Sequence, residues 1–170
     1  TTIMHMTRSK ELLMRWAEMN AFSPVFRSHE GNQPSRDVQF DDDAELLAHM
    51  KLCTKLYTGL APYIKKQVQQ TIDAGTPVMR PLFYHYDEEE AYTEKTEYML
   101  GRDVLVAPVY KEGATQRDCY LPEDTWVHLF TKKEYKGGKV MVEAPMGQPP
   151  VFVRKGSEDF DMLLSIVEDK

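Results

Sequence analysis

The sequence predicts an α+β chain in two parts, the last elements of a parallel-stranded barrel over residues 1–75 and an antiparallel β-sandwich over residues 76–170. Three observations lead there. Apolar residues dominate the first part at helical spacing, with Leu46, Leu47, Met50, Cys53, Thr54 and Tyr57 as the longest series. One short apolar run, residues 23–27, interrupts these helices, and a lone parallel strand needs neighbours, here expected to lie outside this chain. Beyond Gly75 the chain becomes short β-branched and aromatic runs divided by Gly and Pro turn signals.

Residues 7–19 read as the first helix, with Thr7 or Ser9 as cap and Leu12, Leu13, Trp16, Ala17 and Met19 on one face. Ser23, Pro24, Val25 and Phe26 follow as a strand that ends in Arg27, Ser28, His29 and Glu30, with Gly31 marking the turn. Asp41, Asp42 and Asp43 suit the N-terminus of a second helix, which Gly59 and Pro62 break. A third runs from Pro62 to Ala74, with Gly75 as its C-cap signal.

In the second part, residues 77–86 are extended around Pro81, and residues 88–100 read as a short helix stopped by Gly101. Strands are expected at 104–109, 118–121, 126–130, 139–143 and 151–154, with a terminal helix at 158–169.

Composition narrows the function. With 42% hydrophobic residues the chain can bury a core, and a net charge of −6 without a basic block argues against nucleic acid or an anionic membrane as partner. No apolar run is long enough to cross a bilayer. Cys53 and Cys119 lie far apart with no CxxC, which fits buried thiols in a reducing, cytoplasmic setting.

The chemistry concentrates in residues 22–32, FSPVFRSHEGN, where a guanidinium, an imidazole and a carboxylate crowd the carboxyl end of a strand. Parallel sheets bind their substrates at that end. His29 and Arg27 are the candidate binding residues. Unaided, a strand-end His is more often a structural hydrogen-bonder than a ligand contact. Glu30 is better read as capping a turn or pairing with Arg27 than as a general acid. The run Asp41–Asp43 lacks the spacing and Gly of a Ca²⁺ loop, Glu88 to Glu90 suit a helix start, and no metal or cofactor is expected.

Six blocks in order resemble the C-terminal part of glycoside hydrolase family 31, the α-glucosidase and α-xylosidase family. They are FSPVFRSHEGN at 22–32, LAPYIKK at 60–66, GTPVMRPLFYHY at 75–86, YMLGRDVLVAPV at 98–109, YLPEDTWVHLFT at 120–131 and APMGQPPVFVRKG at 144–156. The RSHEGN variant looks most like the bacterial sulfoquinovosidase branch. The resemblance implies a retaining α-glycosidase on a (β/α)8 barrel followed by a β-sandwich, with its two catalytic aspartates upstream of Thr1 in the missing barrel segment. It implies that His29 hydrogen-bonds sugar hydroxyls in the −1 subsite, and Arg27 is expected to fix carboxylates near the site. The isolated chain is then expected to be inactive. A rival expectation is a non-catalytic carbohydrate-binding or scaffolding module with Tyr110, Tyr120, Tyr135 or Trp126 exposed for stacking, and a third is a homo-oligomer contact through the sandwich.

Overall fold

A computed structural model describes residues 7–29, 33 and 35–168. Helix α1 (Lys10–Ala21) begins at Ser9, the second of the two expected caps, whose hydroxyl accepts the Leu12 N–H at 3.2 Å. Helix α2 (Ala44–Gly59) is capped by Asp43, which accepts the Leu46 N–H at 2.8 Å and pairs with Lys10 at 2.7 Å. The aspartate run thus starts a helix as expected. Helix α3 (Ala61–Ala74) carries Pro62 in its first turn and ends at Gly75, in the left-handed region at φ 71°.

The expected strand at 23–27 does not form a ladder with any described residue. A strand is defined by its neighbours' amides and carbonyls, and here side chains answer the backbone instead. The Tyr57 hydroxyl of α2 donates to the Pro24 carbonyl at 3.0 Å, and the Ser23 hydroxyl lies 2.8 Å from that of Val25.

The remaining chain forms β1 (Met79–Arg80), a single 3₁₀ turn at Leu82–Tyr84, the five-residue helix α4 (Glu89–Thr93), β2 (Tyr98–Leu100), β3 (Val104–Val106), β4 (Gln116–His128), β5 (Glu134–Glu143), β6 (Val151–Arg154) and α5 (Phe160–Ser165). The helix expected over 88–100 is therefore cut short. Met99 and Leu100 alternate to opposite sides of the sheet, a period-two pattern that strand pairing satisfies and a helix would not. The strands expected at 118–121 and 126–130 are one strand. Pro122 to Asp124 form an irregularity between Leu121 and Thr125, not a turn.

All six strands join one antiparallel sheet in the order β1-β2-β3-β6-β4-β5, where the sequence reading expected two sheets. Layering arises within the single sheet. Cys119, Leu121 and Val142 from the β4–β5 ribbon share one apolar cluster with Met99, Leu105, Trp126 and Phe152. On the other face Leu100, Val104, Val106, Val151 and Val153 pack with Ala17, Phe22, Leu56, Leu60, Tyr63 and Ile64 of the helical part. Both halves of the chain thus contribute to one core. Gly101, at φ 63°, lies so close to Tyr63 and Gln67 of α3 that a Cβ there would collide with both.

Candidate functional site

The segment after α1 is pinned from three sides. Phe22 is fully buried, and the Tyr98 hydroxyl of β2 lies 3.2 and 3.1 Å from the Met19 and Phe22 carbonyls at the end of the helix. Phe26 stacks on Tyr57 with ring centroids 5.5 Å apart. From this anchored base the chain emerges to solvent, and Arg27, Ser28 and His29 are all exposed.

These three residues line one cleft of about 380 Å³ together with Arg8, Trp16 and Asn20, over an apolar floor that includes Leu13, Ala17 and Met50. The two candidate residues read from the sequence therefore line one cleft. The cleft brings together the His29 imidazole, the Arg27 guanidinium and the Trp16 indole, groups suited to a hydroxylated ring. No carboxylate of the described residues lines it. The acid and nucleophile pair that glycoside hydrolysis needs is not assembled here by described residues. Glu30, considered above as a loop carboxylate, lies outside the described residues.

Two lining residues were missed. Trp16 was placed on the buried face of α1, yet it is 57% exposed and faces the cleft with Leu12, while the adjacent stripe of Leu13 and Ala17 is buried. Stripes one residue apart are hard to separate by periodicity alone. Arg8 gave no signal, because its role depends on contacts with residues 21 to 31 positions away.

The sandwich aromatics proposed for sugar stacking are mostly enclosed. Trp126 is fully buried with its indole N–H on the Pro122 carbonyl at 2.9 Å, and Tyr120 is buried with its hydroxyl on Glu88. Tyr135 meets Phe152 edge-on at 5.6 Å, which leaves Tyr110 as the exposed member of the four. His85 accepts from Arg80 at 2.9 Å, and burial, helped by Arg102 and Arg80, lowers its pKa to about 4. It is a neutral packing group.

Two family models match in succession. The TIM-barrel domain of glycosyl hydrolases family 31 matches residues 4–67, and the family 31 C-terminal domain matches residues 75–157. The chain belongs to glycoside hydrolase family 31.

Within family 31 it is 53% identical to the sulfoquinovosidase of Escherichia coli over 93% of this chain and 24% of that protein. It is 47% identical to the sulfoquinovosidase of Agrobacterium fabrum over 92% of this chain and 24% of that protein. A family 31 sulfoquinovosidase from E. rectale, solved with an aza-sugar inhibitor, superposes with a TM-score of 0.91 at 46% identity, covering 99% of this chain and 25% of that one. The chain thus spans about a quarter of the length of the relatives it matches. No described helix is long and apolar enough to cross a membrane.

Proposed function

We propose that this chain is the C-terminal part of a retaining α-glycosidase that acts on terminal α-linked sugars of the sulfoquinovoside or glucoside type. The observation that carries the reading is the cleft shared by His29, Arg27 and Trp16, which has sugar-compatible donors and acceptors but no described carboxylate. His29 hydrogen-bonds hydroxyls of the sugar in the −1 subsite, and Arg27 fixes carboxylates around it. The catalytic aspartates come from barrel strands outside this chain, and the β-domain buttresses the barrel through the shared core. A retaining mechanism passes through a covalent glycosyl-enzyme, and a related enzyme of Trueperella pyogenes, 30% identical with a TM-score of 0.77, is described in complex with a covalent intermediate. Two buried free thiols favour a reducing, cytoplasmic setting.

The test is turnover of 4-nitrophenyl α-sulfoquinovoside and α-glucoside. The full-length enzyme should turn over at least one, and His29→Ala should cut its kcat/KM by about 100-fold or more. The 170-residue segment alone, shown to be folded by its melting transition, should be inert. Turnover by the segment that disappears on replacing Glu30 or another internal carboxylate would overturn the reading.

One observation favours the rival module. Phe83 and Tyr92 stack at 5.2 Å with planes 2° apart, and both are exposed. Saturable binding of a soluble α-glucan by the full-length enzyme, lost in Phe83→Ala and Tyr92→Ala with catalysis intact, would establish it.

A further inference from the structure

Arg8 sits immediately before the Ser9 cap of α1, and its backbone is fixed there from both sides. Its N–H donates to Asp37 Oδ1 at 2.9 Å, and its carbonyl accepts the Val38 N–H at 3.1 Å. The side chain then spends each nitrogen on a different acceptor. Nε donates to the Val38 carbonyl at 2.8 Å, Nη2 to Gln39 Oε1 at 3.1 Å and Nη1 to the His29 carbonyl at 2.7 Å. Gln39 closes the ring by donating from Nε2 to the Asp37 carbonyl at 3.0 Å, and its own N–H reaches Asp42 at 2.8 Å, one residue before the cap of α2.

This arrangement spans the starts of two helices and ends on the peptide that carries the His29 side chain. Arg8 thus lines the cleft and also holds the backbone of His29. A charged donor at 2.7 Å is at the short end for N–H to oxygen bonds, and the rigid guanidinium fork directs its donors to three acceptors at fixed angles in a way an ammonium cannot.

We infer that Arg8 is the positioning residue for His29, orienting its imidazole in the sugar site through the backbone carbonyl. This rests on the reading of His29 as a sugar contact. It assigns Arg8 an effect on substrate recognition, exerted entirely through His29.

The experiment uses the full-length enzyme, with Arg8→Ala, Arg8→Lys, His29→Ala and the Arg8→Ala/His29→Ala double variant. Kinetics with 4-nitrophenyl α-sulfoquinovoside and α-glucoside are read beside amide hydrogen exchange of residues 22–29 and 98–109. Arg8→Ala should speed exchange in 22–29 and leave 98–109 unchanged, and should lower kcat/KM by about tenfold through misplacement of the contact. Arg8→Lys, which keeps the charge but not the fork, should fall near Arg8→Ala. The double variant should be no worse than His29→Ala.

Unchanged exchange in 22–29, wild-type kinetics in Arg8→Lys, or a double variant that shows both losses multiplied would overturn the inference while leaving the reading of His29 intact. A silent His29→Ala would overturn both.

Discussion

The phenolic oxygen of Tyr98 lies 3.1 Å from the Phe22 carbonyl oxygen, so a strand of the β-domain holds the root of the segment that ends in His29. The same hydroxyl is 3.2 Å from the Met19 carbonyl, and its burial pushes the phenol pKa well above the usual tyrosine range. The group stays protonated and donating at any working pH.

Tyr98→Phe keeps the ring and removes that donor. The expected cost is about 1 kcal/mol, seen as a fall of about 2–4 °C in Tm for a domain of this size. A thermal melt followed by circular dichroism checks it. An unchanged melt would mean that the Tyr98 hydroxyl adds nothing to the hold on this segment.

Arg15 and Glu18 form a buried pair at 3.0 Å on α1, with side chains 8% and 2% exposed. Arg15 also donates to the Ala114 and Ala144 carbonyls at 2.9 and 2.8 Å, and Glu18 accepts the Gly147 N–H at 2.5 Å. Arg15→Ala should cost about 3–5 kcal/mol, because it leaves a buried carboxylate without its cation. Arg15→Met/Glu18→Met should recover much of that loss in a urea titration. Equal losses in the single and double variants would refute the paired account.

Glu97 sits where burial raises a carboxyl pKa, to about 8, against the opposing pull of the Tyr120 N–H and Arg117. Its Oε1 accepts that N–H at 2.9 Å, while Oε2 is buried with no hydrogen-bond partner. In the folded chain the group holds its proton up to about pH 8, whereas the unfolded one releases it near 4.5. The stability it contributes is complete below 4.5 and is lost as pH rises through 8. Glu97→Gln should flatten the fall in urea midpoint between pH 5.5 and 8.5. A parallel fall in both proteins would sink the assignment.

His128 titrates in the opposite sense. Its Nδ1 accepts the Phe130 and Thr131 N–H groups at 3.3 and 3.2 Å, and burial lowers its pKa to about 4 from 6.5. The unfolded chain takes up the proton first, so stability from this group is present above 6.5 and is lost as pH falls through 4. His128→Asn keeps an acceptor at the same place without the titration. Its acid-unfolding midpoint should lie at lower pH than that of wild type, and a shift the other way would argue against a neutral buried imidazole.

The three long helices were legible because their signals are local. Ser9, Asp43 and Gly75 act on backbone groups within a few residues of themselves. The run at 23–27 forms no ladder among the described residues, because β-branched and aromatic composition reports a fit to a pleated surface and the neighbours expected for it lie outside this chain. The two short strands assigned around Pro122 were one, since a bulge and a turn use the same residues. At the candidate site, the abrupt change of chemistry after Phe26 singles out His29 and Arg27, which share one cleft. Trp16 and Arg8 did not, because the exposure of one and the acceptors of the other are fixed only by tertiary contacts.

The apolar cluster that Tyr63 and Ile64 share with Leu129, Val151 and Val153 bears on how such enzymes can be recombined. The interval between the two family matches, residues 68–74, looks like a natural splice point for chimeras of family members. It is not a seam. A hybrid joined there inherits mismatched halves of one packed layer, so exchanging the β-domain between relatives requires the α2 and α3 residues facing Val104, Val106 and Val153 to travel with it.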